Sequence, residues 1–404
     1  MRIFQYKIPL PLTATLCLLL IVYIGLASTS VNALENDKKG NDILCKKQIL
    51  HLNGEVDRIQ WFSIGYGDFS GFVVYSDGKT EKITGSFRGF CDLESEHKSS
   101  SSHWLTTEER EKEYPLDKVP AGQKFDDTYG NSAPGLEYDV ANFFGYLTNR
   151  TTDYNHNVMG RGYHLTRLLT STNIAGHIRW IDQPSGKVFL SRKISSFRIP
   201  CDQKKCPWGL PVIEGDVEKG ARIAIYGYYE RRLNLLAHTP WHGDKTGWIN
   251  FVGIRDFDND KHLEIAAIRD PQNEGILEIW ELQNKKSPSG TPFTLIKRDQ
   301  LAGFSNHLFG TKSTRISTIL PLGSSGLPQL IVPNKARDAL RIISAKDDQL
   351  KEISTIALPL SIAHDMALIS SYSEKQVLNK LIVPLSDNTI RLIEATELNY
   401  IVKH

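Results

Sequence analysis

A chain of 404 residues that is 40% hydrophobic and 23% charged has ordinary globular composition, which excludes a wholly disordered protein. Its 48 basic and 46 acidic residues leave no surplus of charge, so nothing in the overall electrostatics draws it to nucleic acid or to anionic lipid.

The N-terminus reads as an export signal. Arg2 and Lys7 supply a positive start, an uncharged apolar run follows from Leu12 to Ala27, and Val31-Asn32-Ala33 places small residues where a signal peptidase reads. Residues 1–33 are therefore expected to be removed, leaving a periplasmic or secreted protein with no membrane span; an uncleaved anchor is the alternative. Removal takes two basic residues and no acid, so the mature charge is balanced. It also takes Cys17, leaving Cys45, Cys91, Cys201 and Cys206. An even count in an exported chain points to two disulfides, and proximity favours Cys201–Cys206 and Cys45–Cys91. A zinc half-site at Cys201 and Cys206 is the rival reading, but no second Cys/His pair of matching spacing accompanies it.

Beyond the signal, helical periodicity is scarce and short β-rich runs bounded by turn residues are common. Phe72–Tyr75 leads into Ser76-Asp77-Gly78-Lys79, whose Asp-Gly is a strong hairpin signal. Ile178–Ile181, Pro184-Ser185-Gly186 and Val188–Leu190 show the same grammar and predict a second hairpin. Residues 93–133 are polar, charged and almost without periodic apolar positions, and read as a surface insertion.

The second half repeats itself. Ile331-Val332-Pro333 leads to Leu340–Ala345, and 51 residues later Ile382-Val383-Pro384 leads to Ile390–Ala395. Weaker copies begin at Ile223 and Ile265 and continue to Leu233–Leu236 and Leu277–Trp280. The spacings average about 53 residues, and residues 34–404 would hold seven such units. Short strands repeating at that length predict an all-β fold, a β-propeller of seven blades, because a thin sheet stays dry only when a neighbour covers each face.

The strongest chemical motif is Asp256-Phe257-Asp258-Asn259-Asp260-Lys261-His262-Leu263-Glu264, which runs straight into Ile265–Ile268. Carboxylates at relative positions 1, 3, 5 and 9, with a carbonyl at 7, give the all-oxygen shell that Ca²⁺ prefers, and no soft ligand is present. The competing reading is an Asp-rich turn capped by its own side chains. This run resembles the calcium loop of FG-GAP/VCBS-type repeats, which form β-propellers in integrin alpha heads and in many exported bacterial proteins. The resemblance implies calcium ligands at Asp256, Asp258, Asp260 and Glu264 with the His262 carbonyl. It covers residues 250–282 well and 136–400 weakly, the other copies having lost their acids. Lys261 stands where that family has Gly, so a positive φ there would cost on the order of 1 kcal/mol.

Asn155-His156 with Gly160 and Asn306-His307 with Gly310 form a second recurring element, expected to mark a repeated turn with a hydrogen-bonded imidazole. His238 and His242 flank Pro240 and are expected in a surface loop. The sequence thus predicts a non-enzymatic module that presents blade-top loops to a protein or glycan, with calcium as a structural ion. The alternative is a propeller hydrolase or lyase acting on polysaccharide, for which His156, His307 and Asp270 are the candidates.

Overall fold

The computed structural model describes, apart from short breaks, residues 49–94 and 143–394. Residues 1–48, and with them the expected signal segment and Cys45, lie outside the described residues, as does most of the expected insertion. No helix occurs among the described residues, and none is long and apolar enough to cross a membrane.

The strands form antiparallel meanders. The first is β2 (Val56–Gly65), β3 (Asp68–Tyr75), β4 (Thr80–Ser86) and β5 (Gly89–Glu94), paired in chain order. The turn from Tyr75 to Thr80 is the one its Asp-Gly predicts: the Tyr75 N–H donates to the Lys79 carbonyl and the Lys79 N–H to the Asp77 carboxylate. The strand β5 reaches Glu94, so the two leading residues of the expected insertion belong to the sheet.

An eight-stranded sheet follows. It holds β6 (Phe143–Thr151), β7 (His164–Thr172), β8 (Ile178–Asp182), β9 (Lys187–Phe189), β10 (Phe197–Arg198), β11 (Trp208–Asp216), β12 (Gly220–Tyr229) and β13 (Arg232–His238). Here the second hairpin expectation fails. Pro184–Gly186 does turn the chain, with the Lys187 N–H on the Pro184 carbonyl, but β8 pairs β7 while β9 pairs β11 and touches β7. Val188 and Phe189 are each 1% exposed, a burial that an edge beside β8 would not supply.

Two four-stranded sheets come next: β14 (Ile249–Arg255), β15 (Leu263–Arg269), β16 (Ile276–Gln283) and β17 (Thr294–Ala302), then β18 (Thr318–Pro321), β19 (Pro328–Pro333), β20 (Ala339–Lys346) and β21 (Gln349–Ala357). The last is β22 (Ala367–Tyr372), β23 (Val377–Pro384) and β24 (Thr389–Glu394), completed by β1 (Ile49–His51) from the start of the described chain.

From the eight-stranded sheet through β14–β17, β18–β21 and β22–β24 to β2–β4, each sheet covers its neighbour, as period-2 alternation dictates. On β19, Leu330 and Val332 pack toward β14–β17 while Ile331 packs toward β22–β24. On β23, Leu381 and Val383 pack toward β18–β21 while Ile382 faces β2–β4. On β15, Ile265 and Ala267 face the β12 side and Ala266 and Ile268 the β19 side. The registers repeat too: Ile331↔Ile342, Val332↔Arg341 and Pro333↔Leu340 match Ile382↔Leu392, Val383↔Arg391 and Pro384↔Ile390. Successive sheets stacked face to face, with the last closed by the first strand, make the fold a β-propeller.

Close approach between neighbouring sheets fixes some residues. Gly275 has φ +63, and a Cβ there would lie 1.8 Å from the Phe304 carbonyl oxygen, so only glycine fits. Cys201 and Cys206 are disulfide-bonded, closing the loop before β11. The partner expected for Cys45 falls in β5, but Cys45 lies outside the described residues.

Candidate functional site

Meandering strands send their turns to two ends. One end carries the β14–β15 turn with the acidic loop. The other carries the β15–β16, β19–β20 and β23–β24 turns together with the connections from each sheet to the next.

In the acidic loop, the carboxylate oxygens of Asp256, Asp258 and Asp260 lie within 4.8 Å of one another. Buried Phe257 pins the loop between two sheets. Asp256 accepts the Asp260 and Lys261 N–H groups at 3.1 and 3.0 Å, and Asp260 accepts the His262 N–H at 2.7 Å. These bonds hold the loop's shape. Lys261 takes φ 76 and Asn259 φ 67, so Lys261 stands in the left-handed conformation that glycine would adopt without strain.

Glu264 stands behind the three aspartates instead of among them. It is 4% exposed, accepts the Phe257 N–H at 2.8 Å, and has its pKa raised to about 8 by burial and then by the three nearby acids. Burial, followed by the Asp260 charge, also raises Asp258. Burial pushes Asp260 up, but its bonds to the backbone and imidazole of His262 outweigh that and leave it low. The His262 imidazole turns to Asp260 at 3.0 Å and to Glu281 at 3.7 Å. Glu281, 1% exposed and ion-paired to Arg298, is a member of this cluster that sequence reading missed. Its signal is the register Glu264↔Glu281 across β15 and β16. The three aspartates offer oxygen donors of the kind a hard divalent cation such as Ca²⁺ takes, and the His262 imidazole forms a second group beside them with Asp260 and Glu281.

At the opposite end, His156 and His307 are 7% and 0% exposed. The His156 Nε2 donates to the Gly247 carbonyl at 3.0 Å. The His307 Nε2 donates to the Thr311 carbonyl at 3.1 Å, so its Nδ1 accepts from Gln272 at 2.7 Å. Both rings pack on buried Trp248, at 5.5 and 5.2 Å between centroids. The two Asn-His elements also touch, the Gly310 N–H reaching the Val158 carbonyl. This is the structural role expected for them.

Asp270 meets a different histidine. Its carboxylate lies 2.6 Å from the Nε2 of half-buried His242, with the Arg269 guanidinium 3.6 Å away and turned also to Glu278. Asp270 is held at φ 48, and its carbonyl accepts the Asn273 and Gly275 N–H groups. The spacing of His238 and His242 gave no sign of this pairing; His238 turns to the Thr239 carbonyl instead.

No family model matches the sequence, and no curated protein does. Among solved structures, the chain is similar to Trypanosoma rangeli sialidase (10% identity, 87% of this chain and 57% of that one, TM-score 0.40). It is also similar to the fucose-specific lectin of Aleuria aurantia (12%, 85% and 93%, TM-score 0.35) and to the WD40 domain of SCAP from fission yeast (9%, 84% and 66%, TM-score 0.33). Likeness at this level carries no argument about ligand or activity.

Proposed function

We propose that this chain is an exported binding or scaffolding propeller of FG-GAP/VCBS-like type. Calcium would brace the acidic loop at one end, and the connection-bearing end would receive a protein or glycan. The observation that carries the reading is the division of labour between the ends. The carboxylate cluster lies in a β14–β15 turn away from the sheet-to-sheet connections, while the histidines suited to catalysis are spent on packing Trp248. Asp256, Asp258 and Asp260 with the His262 carbonyl would hold the ion, and buried Glu264 would add its charge from behind them; the ion would neutralise crowded acids and fix a sheet corner. The disulfide Cys201–Cys206 supports an oxidising compartment.

A second reading, a hydrolase or lyase, draws on one observation: the His242–Asp270 contact, which is short and partly open to solvent and so suited to general acid–base work. Two measurements separate these readings. Unfolding midpoints are taken in calcium and in EDTA for the wild type and Asp258→Ala; the wild type is expected to shift by several degrees and the variant little. An equal shift in both removes calcium from the loop. Polysaccharides are then tested by co-sedimentation with release of reducing ends measured alongside. Binding without product supports the module, product lost in His242→Ala supports the enzyme, and neither outcome leaves a protein ligand as the form of the proposal to pursue.

A further inference from the structure

The β19–β20 and β23–β24 turns are built alike. In the first, the Asn334 N–H donates to the Ala339 carbonyl and the Arg337 N–H to the Asn334 carbonyl; in the second, the Leu385 N–H donates to Thr389 and the Asn388 N–H to Leu385. Arg337 and Asn388 sit at the same step, both with φ 61. The carbonyl of each accepts an N–H from a segment outside its own turn, Ile362 for Arg337 and Leu52, from the start of the described chain, for Asn388.

Their side chains differ in what they achieve. Asparagine tolerates the left-handed region, and the Asn388 amide is used, donating to the Gly54 carbonyl at 2.8 Å. Arginine has no such tolerance, and Arg337 gains little at home. One nitrogen, Nη1, donates to the Ser305 hydroxyl at 3.1 Å. Its Nε is buried without an acceptor among the described residues, and no acidic neighbour acts on the half-buried guanidinium, whose pKa burial alone lowers. A charge withdrawn from water without a counter-charge is costly. The nitrogen left over is Nη2, which can donate a charge-assisted hydrogen bond to an oxygen of an oxyanion.

We propose that Arg337 is the anion-recognition residue of the ligand site at the connection-bearing end, taking a carboxylate or phosphate oxyanion carried by the ligand. The proposal rests on the reading of that end as the ligand face. Ser305 holds the guanidinium through Nη1, and the incoming group pairs with Nη2.

The test is thermal unfolding of the full chain with sodium glucuronate, glucose 6-phosphate, glucose, or sodium chloride at matched ionic strength. At least one anionic sugar is expected to raise the midpoint saturably, glucose and chloride having no such effect; whichever of the two acts more strongly identifies carboxylate or phosphate. Arg337→Asn, which restores the residue used at 388, is expected to abolish that response while leaving the unliganded midpoint equal or higher. Arg337→Lys keeps the charge without the fork and is expected to weaken the response. No shift with either anion, or a shift retained in Arg337→Asn, overturns the proposal. Polysaccharide or protein binding that persists while no anion shifts the midpoint overturns the Arg337 assignment alone and leaves the binding reading standing.

Discussion

Replacing Glu264 by Gln is expected to change the sign of its effect with calcium. The carboxyl is buried at 4% exposure and its pKa stands at about 8 against an ordinary 4.5. Below pH 4.5 both folded and unfolded chains hold its proton, and the native preference is fully present. As pH rises from there to about 8, the unfolded chain releases a proton that the native state keeps, and stability is lost at up to about 1.4 kcal/mol per pH unit. The ceiling at pH 8 is about 5 kcal/mol; relaxation of the loop and titration of its aspartates reduce the expected loss to about 2–3 kcal/mol. Glutamine lacks this proton and still offers an oxygen to the Phe257 N–H. In EDTA, Glu264→Gln is therefore expected to match the wild type near pH 4.5 and to exceed it by about 2–3 kcal/mol at pH 8. In saturating calcium the order reverses, because the cation favours the carboxylate that glutamine cannot supply. The assay is urea denaturation across pH with and without the ion. Parallel stability–pH curves for both proteins in EDTA would refute the burial argument, and an unchanged order on adding calcium would refute the loop's role in holding the ion.

Two further outcomes follow from the packing. Val332→Ala and Val383→Ala remove two methyl groups each from fully buried, register-equivalent sites, and each is expected to lower stability by about 2 kcal/mol, with the two values within about 1 kcal/mol of each other. A large cost at one and none at the other in urea titrations would deny their equivalence. His364 has its pKa lowered by burial, against the pull of Asp365 and Asp57. Stability tied to it is present above the unfolded value of 6.5 and is lost as pH falls, so wild type is expected to lose more stability than His364→Gln on acidification below that pH; equal acid slopes would count against it.

What could be read from the sequence was what local rules determine. Period-2 runs placed the strands, and the recurring Ile-Val-Pro segments identified residues that prove to share register and surroundings. Lys261 was recognisable as a residue in glycine's place, and its φ of 76 bears this out. Nearness in sequence picked the Cys201–Cys206 pair. Other features depend on contacts that no short window contains. The β8–β9 turn looked like a hairpin because turn chemistry fixes a reversal and not the partner that follows it. His242 reaches Asp270 across two sheets, and Asp270 was placed with the wrong histidines for that reason. Arg337 was invisible because its distinguishing property is the lack of a counter-charge among the described residues, which only three-dimensional neighbours reveal. Six meander units can be traced among the described residues, with the eight-stranded sheet holding two of them, against the seven that repeat spacing predicts; residues 95–142 fall outside that count.

The pairing of β1 with β24 has a consequence for biogenesis. Ile49 waits for Arg391 and His51 for Thr389, so the final sheet lacks its outer strand until almost the whole described chain has emerged from the ribosome. The interior sheets can assemble in order as they appear, but the ring stays sprung open, with β1 a loose end until β24 arrives. A chaperone would meet the nascent protein in that unlatched state, and a chain halted before Thr389 would have no means of fastening it.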